Sequence, residues 1–384
     1  MQATSLSFVD TVYSADSIEF CPARPNLFAC GTYQVVKSEE NKSSKSESGA
    51  ASVTGGSEQD EGEDEVKSDP TVTRYGRCLL YSVDNEGKNV KELQRFDGPA
   101  ILDMKWSPRL WNGNRTLAIA DAKGHVQLHK LDDETCTLSP IDTVTCADEK
   151  TLCLSLDWST RHPSSADPAS IIVSLSSGSL THLTGESTLT PTRTWHAHDF
   201  EPWITSFDCW DTNTVWSGGD DLKLKGWDLR TDCEEPTFVN KRFEGGVTTI
   251  TSHPLVENLI AVGSYDSQVR LFDRRNPLRP LSTFDVGGGI WRLKWHPTNP
   301  NRLLVAAMHN GFSVIDYDLA PNAIGSSETD RALIPGGGEL VRRFEGHESL
   351  AYGVDWSDGA QTAEGRDLVA SCSFYDHAMH VWAV

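Results

Sequence analysis

One pattern recurs seven times along the chain. A short segment ends near Trp-Ser, Trp-His-Pro or Ser-His-Pro, and it is followed by an apolar strand, a tight turn rich in Gly, Ser and Asp, and a second apolar strand. The two clearest copies are residues 247–273 and 288–316, whose anchors Ser252 and Trp295 lie 43 residues apart. A repeat of about 40 to 45 residues built from short strands is typical of a β-propeller blade. The pattern therefore predicts an all-β propeller.

Seven distinct anchors favour seven blades over six. We expect each anchor to end the innermost strand of its blade, and the anchors begin at Phe20, Trp106, Trp158, Cys209, Ser252, Trp295 and Trp356. The runs that follow, such as RTLAIAD and DLVASCSF, are short and apolar, which is typical of strands packed between neighbouring sheets. Because the repeat length is that of WD40 proteins, we predict a seven-bladed WD40 β-propeller.

The two ends of the chain predict how the ring closes. The last blade stops at HAMHVWAV, one strand short of the usual four, and the alternating segment SLSFVDTV precedes the first blade. We expect this N-terminal strand to complete the seventh blade, which removes an exposed edge that would template aggregation. Residues 1–384 are then expected to form a single propeller domain.

Two segments interrupt the period. Residues 37–73 are rich in Ser, Gly, Glu and Asp and contain EQDEGEDE, so we expect a disordered acidic insertion in the first blade. A solvated loop without a catalytic role is the simpler interpretation, and an electrostatic tether for a basic partner is the alternative. Residues 319–339 predict a loop insertion beside an outer strand, to which we assign no function.

The composition limits which classes of partner and which cellular compartment suit the protein. The net charge of -21 disfavours binding to nucleic acid or an anionic membrane and favours a basic protein partner. Nine cysteines, an odd number without a C-x-x-C pair, lie mostly in apolar strands, which indicates a reducing, cytoplasmic compartment. The sequence has no basic leader and no apolar run of about 18 residues, so we expect neither export nor membrane insertion. We also expect a monomer.

Common enzyme and metal motifs are missing from the sequence. It contains no G-x-S-x-G, no H-E-x-x-H, no P-loop and no G-x-G-x-x-G between a strand and a helix. His377 and His380 lie three residues apart on a predicted strand, where they would face opposite sides, so we expect no metal site. We expect no cofactor either. Catalysis would then depend on scattered residues at one rim of the propeller.

The WD40 resemblance implies a network in each blade that links a turn Asp, a His in the preceding loop and a strand Trp. Two blades fit this rule, one with His198, Asp221 and Trp227 and one with His347, Asp376 and Trp382. The sixth blade departs from it, because His309 stands seven residues before Asp316, where an Asp is expected. A departure from a local rule often marks a functional site, and a substituted turn residue is the alternative.

Loops that lead into the blades and turns that join their middle strands emerge on one face of a propeller. Residues distant in sequence therefore converge there. The candidate site residues in these loops are Glu201, Trp203, Asp220, Tyr265, Trp291, His309, Tyr352, Tyr375 and His377. Clustered surface aromatics favour a binding site, and packing under a neighbouring loop is the alternative for each ring.

Four strings in the later blades carry a closer resemblance. They are GGGIWRLKWHP (287–297), AMHNGF (307–312), HESLAYGVDWS (347–357) and SCSFYDHAMHVW (371–382). Together they resemble the diphthine methylesterase family of WD40 proteins in the diphthamide pathway. Blades four to seven match closely, and the earlier blades match by pattern only. The resemblance implies hydrolysis of the methyl ester of methylated diphthine on translation elongation factor 2, which gives diphthine and methanol.

Such a substrate carries a trimethylammonium group beside the ester, and aromatic faces with nearby carboxylates recognise a cation of this kind. The residues that we expect to bind it are Glu201, Trp203, Tyr265, Trp291, Tyr352 and Tyr375. Hydrolysis also needs a base, and the candidates are His309 or His377 with Asp220 as the orienting carboxylate. Ser373 or Ser349 is a lesser candidate for a nucleophile.

A non-catalytic scaffold is the main alternative function. Most WD40 propellers dock proteins, and the same rim would then be a docking surface. A methyltransferase fits the sequence poorly, since neither a Gly-rich loop for S-adenosylmethionine nor an alternating β/α pattern is present. Replacing the catalytic rim residue of an esterase should abolish turnover while the variant still binds its protein substrate. A scaffold has no turnover to lose.

Overall fold

The computed structural model describes residues 1–37, 72–159, 168–319 and 336–384. These residues form seven antiparallel sheets whose innermost strands surround a central channel. Within these ranges the helical content is a single 3-10 turn of three residues, Met308–Asn310. The predicted all-β, seven-bladed propeller is confirmed.

Strands are numbered in chain order, and within each blade they run from the channel outwards. Blade 1 contains β2 (Ala15–Cys21), β3 (Arg24–Thr32), β5 (Val72–Val83) and β6 (Val90–Pro99), and the short β4 (Gln34–Lys37) also pairs with β5. Blade 2 contains β7 (Ile101–Trp106), β8 (Thr116–Asp121), β9 (His125–Asp132) and β10 (Thr137–Thr145). Blade 3 contains β11 (Cys153–Trp158), β12 (Ile171–Leu175), β13 (Ser179–Thr184) and β14 (Thr190–His196).

The remaining blades follow the same order. Blade 4 contains β15 (Ile204–Asp208), β16 (Asp211–Gly218), β17 (Leu224–Asp228) and β18 (Phe238–Asn240). Blade 5 contains β19 (Val247–Ser252), β20 (Leu259–Ser264), β21 (Gln268–Asp273) and β22 (Ser282–Asp285). Blade 6 contains β23 (Ile290–Trp295), β24 (Arg302–Ala307), β25 (Phe312–Tyr317) and β26 (Gly338–Phe344). Blade 7 contains β27 (Ala351–Gln361), β28 (Asp367–Ser373), β29 (Ala378–Ala383) and β1 (Ser5–Asp10).

The N-terminal strand closes the ring as predicted. β1 lies antiparallel to β29, with Ser5 opposite Trp382 and Asp10 opposite Ala378. Backbone hydrogen bonds therefore join the first strand of the chain to the last. This pairing covers an edge of β29 that would otherwise be free to pair with another molecule.

The middle strands are apolar because both of their faces are covered. All six residues of β8 and all six of β20 are buried. Between blades 7 and 1, for example, the rings of Phe28 and Tyr81 stack with centroids 5.4 Å apart and pack in one cluster with Met379. Burial of this kind contributes about 25 cal/mol for each Å² of apolar surface.

Indole N–H groups at the anchors tie neighbouring blades together. Trp106 Nε1 donates to the carbonyl of Glu19 at 3.1 Å, and Trp158 Nε1 donates to the carbonyl of Lys105 at 3.1 Å. Trp356 makes the equivalent bond to blade 6 at 3.0 Å. In each case the donor and acceptor lie on inner strands of consecutive blades. A buried hydrogen bond of this kind adds about 1 kcal/mol. At the fourth Trp anchor, Trp295, the buried indole N–H has no hydrogen-bond partner among the described residues.

The two predicted insertions lie mainly outside the described residues. Residues 38–71 and 320–335 are not described, so the predicted disorder of the acidic segment is a proposal. At their margins, Lys37 ends β4, which pairs with the start of β5, and Gly338 begins β26. Regular strand pairing thus extends a few residues into both predicted insertions, because polar residues can occupy the ends of outer strands.

The nine cysteines all lie within the described ranges, where they form no disulfide bond. No helix among the described residues is long and apolar enough to cross a bilayer. Nor does the described part of the chain bring three or more His, Cys, Asp or Glu side chains together as a metal-binding group.

Candidate active site

Six inner strands carry a β-bulge close to their first residue. In β2 the register shifts between Ala15 and Ser17, and in β23 it shifts between Ile290 and Arg292. A bulge takes one residue out of the pairing and can turn its side chain toward a site. The bulged residues are Asp16, Leu102, Leu154, Thr248, Trp291 and Tyr352, the last together with Gly353.

Five of these six side chains line one cavity of about 350 Å³ at the mouth of the channel, which we call the aromatic cavity. Its lining residues are Asp16, Tyr33, Arg74, Leu102, Leu152, Leu154, Ser176, Glu201, Trp203, Tyr265, Trp291, Tyr352 and Phe374. The structure therefore brings together five of the six side chains that the sequence assigned to substrate binding. The volume lies at the lower end of the range for small-ligand pockets.

The character of the wall changes around the ring. Blades 4 to 7 contribute half-buried aromatic side chains, blades 2 and 3 contribute leucines, and blade 1 contributes Asp16, Tyr33 and Arg74. In a ring of seven, blade 1 faces blades 4 and 5 across the channel. The cavity thus has an aromatic side and a polar side that lie opposite each other.

The aromatic side is a continuous set of ring contacts centred on Trp291. The centroid of Trp291 lies 4.8 Å from that of Tyr352, 5.8 Å from that of Trp203 and 6.3 Å from that of Tyr265. Burial raises the pKa values of Tyr265 and Tyr352, so both phenols stay protonated at neutral pH. Uncharged rings that converge in this way present the negative faces that attract an organic cation.

Two of the predicted carboxylates lie beside these rings. Glu201 lines the cavity, and its carbonyl accepts a hydrogen bond of 3.0 Å from the backbone N–H of Asp220. Gly246 separates the exposed Asp220 from Tyr265, since a Cβ at this glycine would overlap Oδ1 of Asp220 and touch the Tyr265 ring. The charge of Asp220 adds to the rise in the Tyr265 pKa that burial causes. Asp220 is therefore an electrostatic neighbour of the aromatic side.

Asp16 is a cavity residue that the sequence reasoning missed. Its side chain is only 6% exposed, and burial raises its pKa from 3.8 to about 7, although Arg292 opposes the rise. One sequence signal could have found it. Aligned on the anchors, the position four residues earlier holds Leu102, Leu154, Trp291 and Tyr352 in four other blades, and Asp16 is the carboxyl at that position.

Beneath the cavity the channel is lined by a layer of ion pairs. Glu19 pairs with Lys105 at 2.9 Å and with Lys294 at 2.6 Å, and Asp103 pairs with Lys105 at 2.7 Å. Burial alone would raise the pKa of Glu19, but the two lysines outweigh it and hold that pKa below its usual value. Arg292 faces Asp103 at 3.5 Å. These charges are matched to one another, whereas Asp16 forms no hydrogen bond or ion pair with any described residue.

His309 lies in a separate cleft of about 690 Å³, which we call the His309 cleft. The 3-10 turn between β24 and β25 exposes His309, which shares the cleft with Glu345, Glu348, Ser349 and Tyr375. Tyr375 is 69% exposed. Neither His309 nor Tyr375 lines the aromatic cavity, so these two predicted site residues are apart from the other cage residues.

A pair of adjacent aromatic rings separates the two spaces. Phe374 lines the aromatic cavity and Tyr375 lines the His309 cleft, and their ring centroids are 5.0 Å apart. Asp220 and His309 are not joined by a hydrogen bond or an ion pair among the described residues, so the predicted base and its orienting carboxylate are not paired.

The structural network predicted in blade 4 is confirmed. His198 Nδ1 lies 2.8 Å from Oδ1 of Asp221, and His198 Nε2 lies 2.7 Å from Oγ of Ser217. The same hydroxyl accepts a hydrogen bond of 2.8 Å from Trp227 Nε1. Ser217 is the link that the sequence did not predict.

In blade 7 the network differs from the prediction. His347 contacts Ser373 at 2.6 Å and Ser371 at 2.8 Å, and Ser373 in turn donates to Asp376. His347 therefore does not bond Asp376 directly. Burial lowers the pKa of His347 to about 3, which keeps it neutral. Ser373 is fully buried within this network, a position unsuited to a nucleophile.

Two further candidates occupy structural positions. His377 lies in the turn before β29, not on the strand as predicted, because it adopts a left-handed conformation with φ of 56°. Its carbonyl accepts hydrogen bonds of 2.9 Å from both N–H and Oγ1 of Thr11, and its side chain lines neither space. Ser349 Oγ accepts the backbone N–H of Tyr375 at 3.0 Å.

Comparison with known proteins gives the relationship of the chain. It is 39% identical over 365 residues to the mouse protein named diphthine methyltransferase, across 92% of this chain and 69% of that protein. The human protein of the same name is 38% identical and aligns with 93% of this chain and 75% of its own length. The chain belongs to the diphthine methyltransferase family. A Dictyostelium discoideum homologue is 34% identical and is covered over 96% of both chains.

Structural comparison supports the fold of this family member. A chain from a crystal structure of the mitotic checkpoint complex superposes with a TM-score of 0.63 and 17% identity, covering 99% of this chain and 92% of that one. At this identity the likeness extends to the propeller fold alone. No family profile matches the chain.

Proposed function

We propose that this protein hydrolyses the methyl ester of methylated diphthine on translation elongation factor 2, releasing diphthine and methanol. The observation that carries the proposal is the aromatic cavity of a member of the diphthine methyltransferase family. Six aromatic rings and two carboxyl groups line a space of about 350 Å³, and Asp16, Tyr33 and Arg74 lie together on the side of blade 1.

The chemistry of the substrate fits this division of the wall. A trimethylammonium group has no N–H to donate, so aromatic faces and a nearby negative charge must recognise it. Trp203, Tyr265 and Trp291 supply the faces, and Glu201 supplies the charge. The ester, on the same side chain, then lies toward the polar wall. The acidic protein as a whole, with its net charge of -21, suits a basic region of the protein substrate.

The name diphthine methyltransferase, which the mouse and human relatives carry, favours a second function, transfer of methyl groups to diphthine. Transfer requires a methyl donor bound next to the acceptor, whereas hydrolysis requires only a water molecule beside the ester. The sequence has neither a Gly-rich loop for S-adenosylmethionine nor an alternating β/α pattern, and this is the reason for preferring hydrolysis.

A scaffold without activity is the alternative that follows from the fold. Propellers of this kind bind proteins through the rim where both spaces open, and the exposed Tyr375 would then be a docking residue. The three functions differ in what happens to the mass of the substrate, so one assay distinguishes them.

The experiment incubates the purified protein with elongation factor 2 that carries methylated diphthine, with and without S-adenosylmethionine. Hydrolysis predicts a loss of about 14 Da per factor and release of methanol without S-adenosylmethionine. Transfer is tested on a factor that carries unesterified diphthine, where a gain of about 14 Da that requires S-adenosylmethionine would establish a methyltransferase instead. Binding of the factor without a change in its mass would favour a scaffold without activity. The single variants His309→Ala and His377→Ala test the two histidines that the sequence suggested as the base, and Asp220→Asn tests the orienting carboxylate.

A further inference from the structure

We propose that Asp16 is the general base that activates water for attack on the ester. This inference rests on the proposed function and concerns which residue performs its chemical step. It assigns the base to a carboxyl group inside the aromatic cavity, where the substrate cation is held, instead of to the histidine in the neighbouring cleft.

The position of Asp16 in the repeat supports a function. Four other bulged residues that line the cavity are apolar or aromatic, namely Leu102, Leu154, Trp291 and Tyr352. A carboxyl group at this position loses hydration without gaining an ion pair, so it lowers the stability of the fold. This loss of stability occurs in one blade, at a position where a bulge directs the side chain into a cavity. Such a locally unfavourable residue indicates a function.

The surrounding charges suit a group that must change protonation state near neutrality. Burial raises the pKa of Asp16 to about 7, Arg292 lowers it and the charge of Asp103 raises it. The charged and titratable groups that share the cavity with Asp16 or interact with it electrostatically are Tyr33, Arg74, Asp103, Glu201, Arg292, Tyr352 and Cys372. A base with a pKa close to the working pH combines ionisation with proton affinity.

The cavity fixes which part of the substrate meets Asp16. Glu201, Trp203 and Tyr265 come from blades 4 and 5, which lie across the channel from blade 1. A trimethylammonium group held on that side directs the rest of the same side chain toward Asp16. His309 is outside this cavity, beyond the wall formed by Phe374 and Tyr375.

The chemical step balances with water as the sole co-reactant. The Asp16 carboxylate accepts a proton from water while the water oxygen forms a bond to the ester carbonyl carbon. The tetrahedral intermediate then expels the methoxy group, and the protonated Asp16 donates its proton to the leaving oxygen, giving methanol. The new carboxylic acid ionises and releases one proton to solvent, so Asp16 returns to its initial state.

The same wall supplies donors for the oxygen that becomes negative. Arg74 Nε donates to the hydroxyl oxygen of Tyr33 at 3.0 Å, and both side chains line the cavity with Asp16. Burial raises the pKa of Tyr33, so its O–H proton is retained and available to an acceptor. A positive charge and a hydroxyl donor beside the base are the groups that stabilise a tetrahedral oxyanion.

The test compares Asp16→Asn, Asp16→Glu and the control Asp232→Asn, which changes an exposed loop aspartate, on elongation factor 2 that carries methylated diphthine. We expect Asp16→Asn to reduce kcat at least 100-fold while binding of the factor changes less than 3-fold. Asp16→Glu should recover part of the rate. For the unaltered protein, kcat/KM should rise with pH through about 7 and then level off. In Asp16→Glu, the pH at which kcat/KM rises should differ from that of the unaltered protein.

Several results would overturn the assignment while leaving the proposed function intact. One is hydrolysis by Asp16→Asn at the normal rate with the same pH limb. Another is loss of turnover in His309→Ala alone, which returns the role of base to that histidine. Loss of factor binding in a folded Asp16→Asn would assign Asp16 to binding. If the unaltered protein fails to hydrolyse the ester at all, the proposed function itself fails.

Discussion

The indole ring of Trp291 lies against the phenol ring of Tyr352, with centroids 4.8 Å apart and planes inclined by 32°. Trp291 also contacts Trp203 and Tyr265, so it is the central ring of the cage. We expect Trp291→Ala to raise KM for the methylated factor about 5- to 30-fold with a smaller effect on kcat, because a cation–π contact contributes about 1 to 2 kcal/mol.

Two further variants complete this prediction. Trp291→Phe should lie between the unaltered protein and the alanine variant, since a smaller ring keeps part of the attraction. Phe8→Ala removes a ring that is 59% exposed on the outer strand of blade 7 and should leave KM unchanged. Steady-state kinetics over a range of factor concentrations provide the values. An unchanged KM in Trp291→Ala would exclude the cage.

Asp16→Asn should make the protein more stable in a pH-dependent way. The folded pKa of Asp16 is raised from 3.8 to about 7, so the folded state binds the proton more tightly than the unfolded state. Ionising the buried carboxyl therefore costs stability as pH rises from about 4 to 7, by up to about 4 kcal/mol at about 1.4 kcal/mol per pKa unit.

Asp16→Asn has no carboxyl group to ionise, so its free energy of unfolding relative to that of the unaltered protein should increase by about 2 to 3 kcal/mol between pH 5 and pH 8. Urea unfolding at the two pH values measures the difference. Asp232→Asn, a change in an exposed loop, should show no such trend. An advantage that is the same at both pH values would mean that Asp16 is not an acid held protonated by burial.

Arg74 should act on the rate and not on binding. If its guanidinium and the Tyr33 hydroxyl face the developing oxyanion, Arg74→Met lowers kcat about 100-fold, with KM within about 3-fold of normal. Arg74→Lys keeps the charge but loses the planar donor that holds Tyr33, and should recover part of the rate. A rise in KM with kcat unchanged would instead place Arg74 in ground-state binding.

The His198 network should affect stability and leave the catalytic step alone. Ser217 Oγ is shared by His198 and Trp227, so Ser217→Ala leaves two buried polar groups without a partner. We expect the free energy of unfolding, measured in urea, to fall by about 1 to 3 kcal/mol. The kcat of the folded variant at about 20 °C should be normal. A stable variant with reduced kcat would show that this network contributes to the site.

Much of the fold could be predicted because it is repeated. The anchors gave the seven inner strands, and the missing strand of the last blade gave the pairing of β1 with β29. The same regularity placed Glu201, Trp203, Tyr265, Trp291 and Tyr352 at one rim, and they share one cavity. The position of a residue within a repeat follows from the sequence. Residues can therefore be predicted to lie together when the geometry of the repeat alone brings them together.

What the sequence could not show depends on side-chain direction and on single hydrogen bonds. The bulge that sets the direction of Asp16 leaves no motif of its own, so alignment of the blades on their anchors indicates the position of Asp16 but not that its carboxyl group enters the cavity. The left-handed turn at His377 and the burial of Ser373 appear only once the chain is folded. The division between the aromatic cavity and the His309 cleft depends on two rings, those of Phe374 and Tyr375, and the sequence places both simply on the same rim.

The most direct test of ester hydrolysis in the aromatic cavity is a reaction in water enriched in oxygen-18, followed by mass spectrometry of the factor and of the methanol. Attack of water on the ester carbonyl predicts that diphthine gains one oxygen-18 atom and that the methanol contains none, and that Asp16→Asn forms both products at least 100-fold more slowly. Unlabelled diphthine, labelled methanol, or a factor whose methyl ester stays intact would contradict the account.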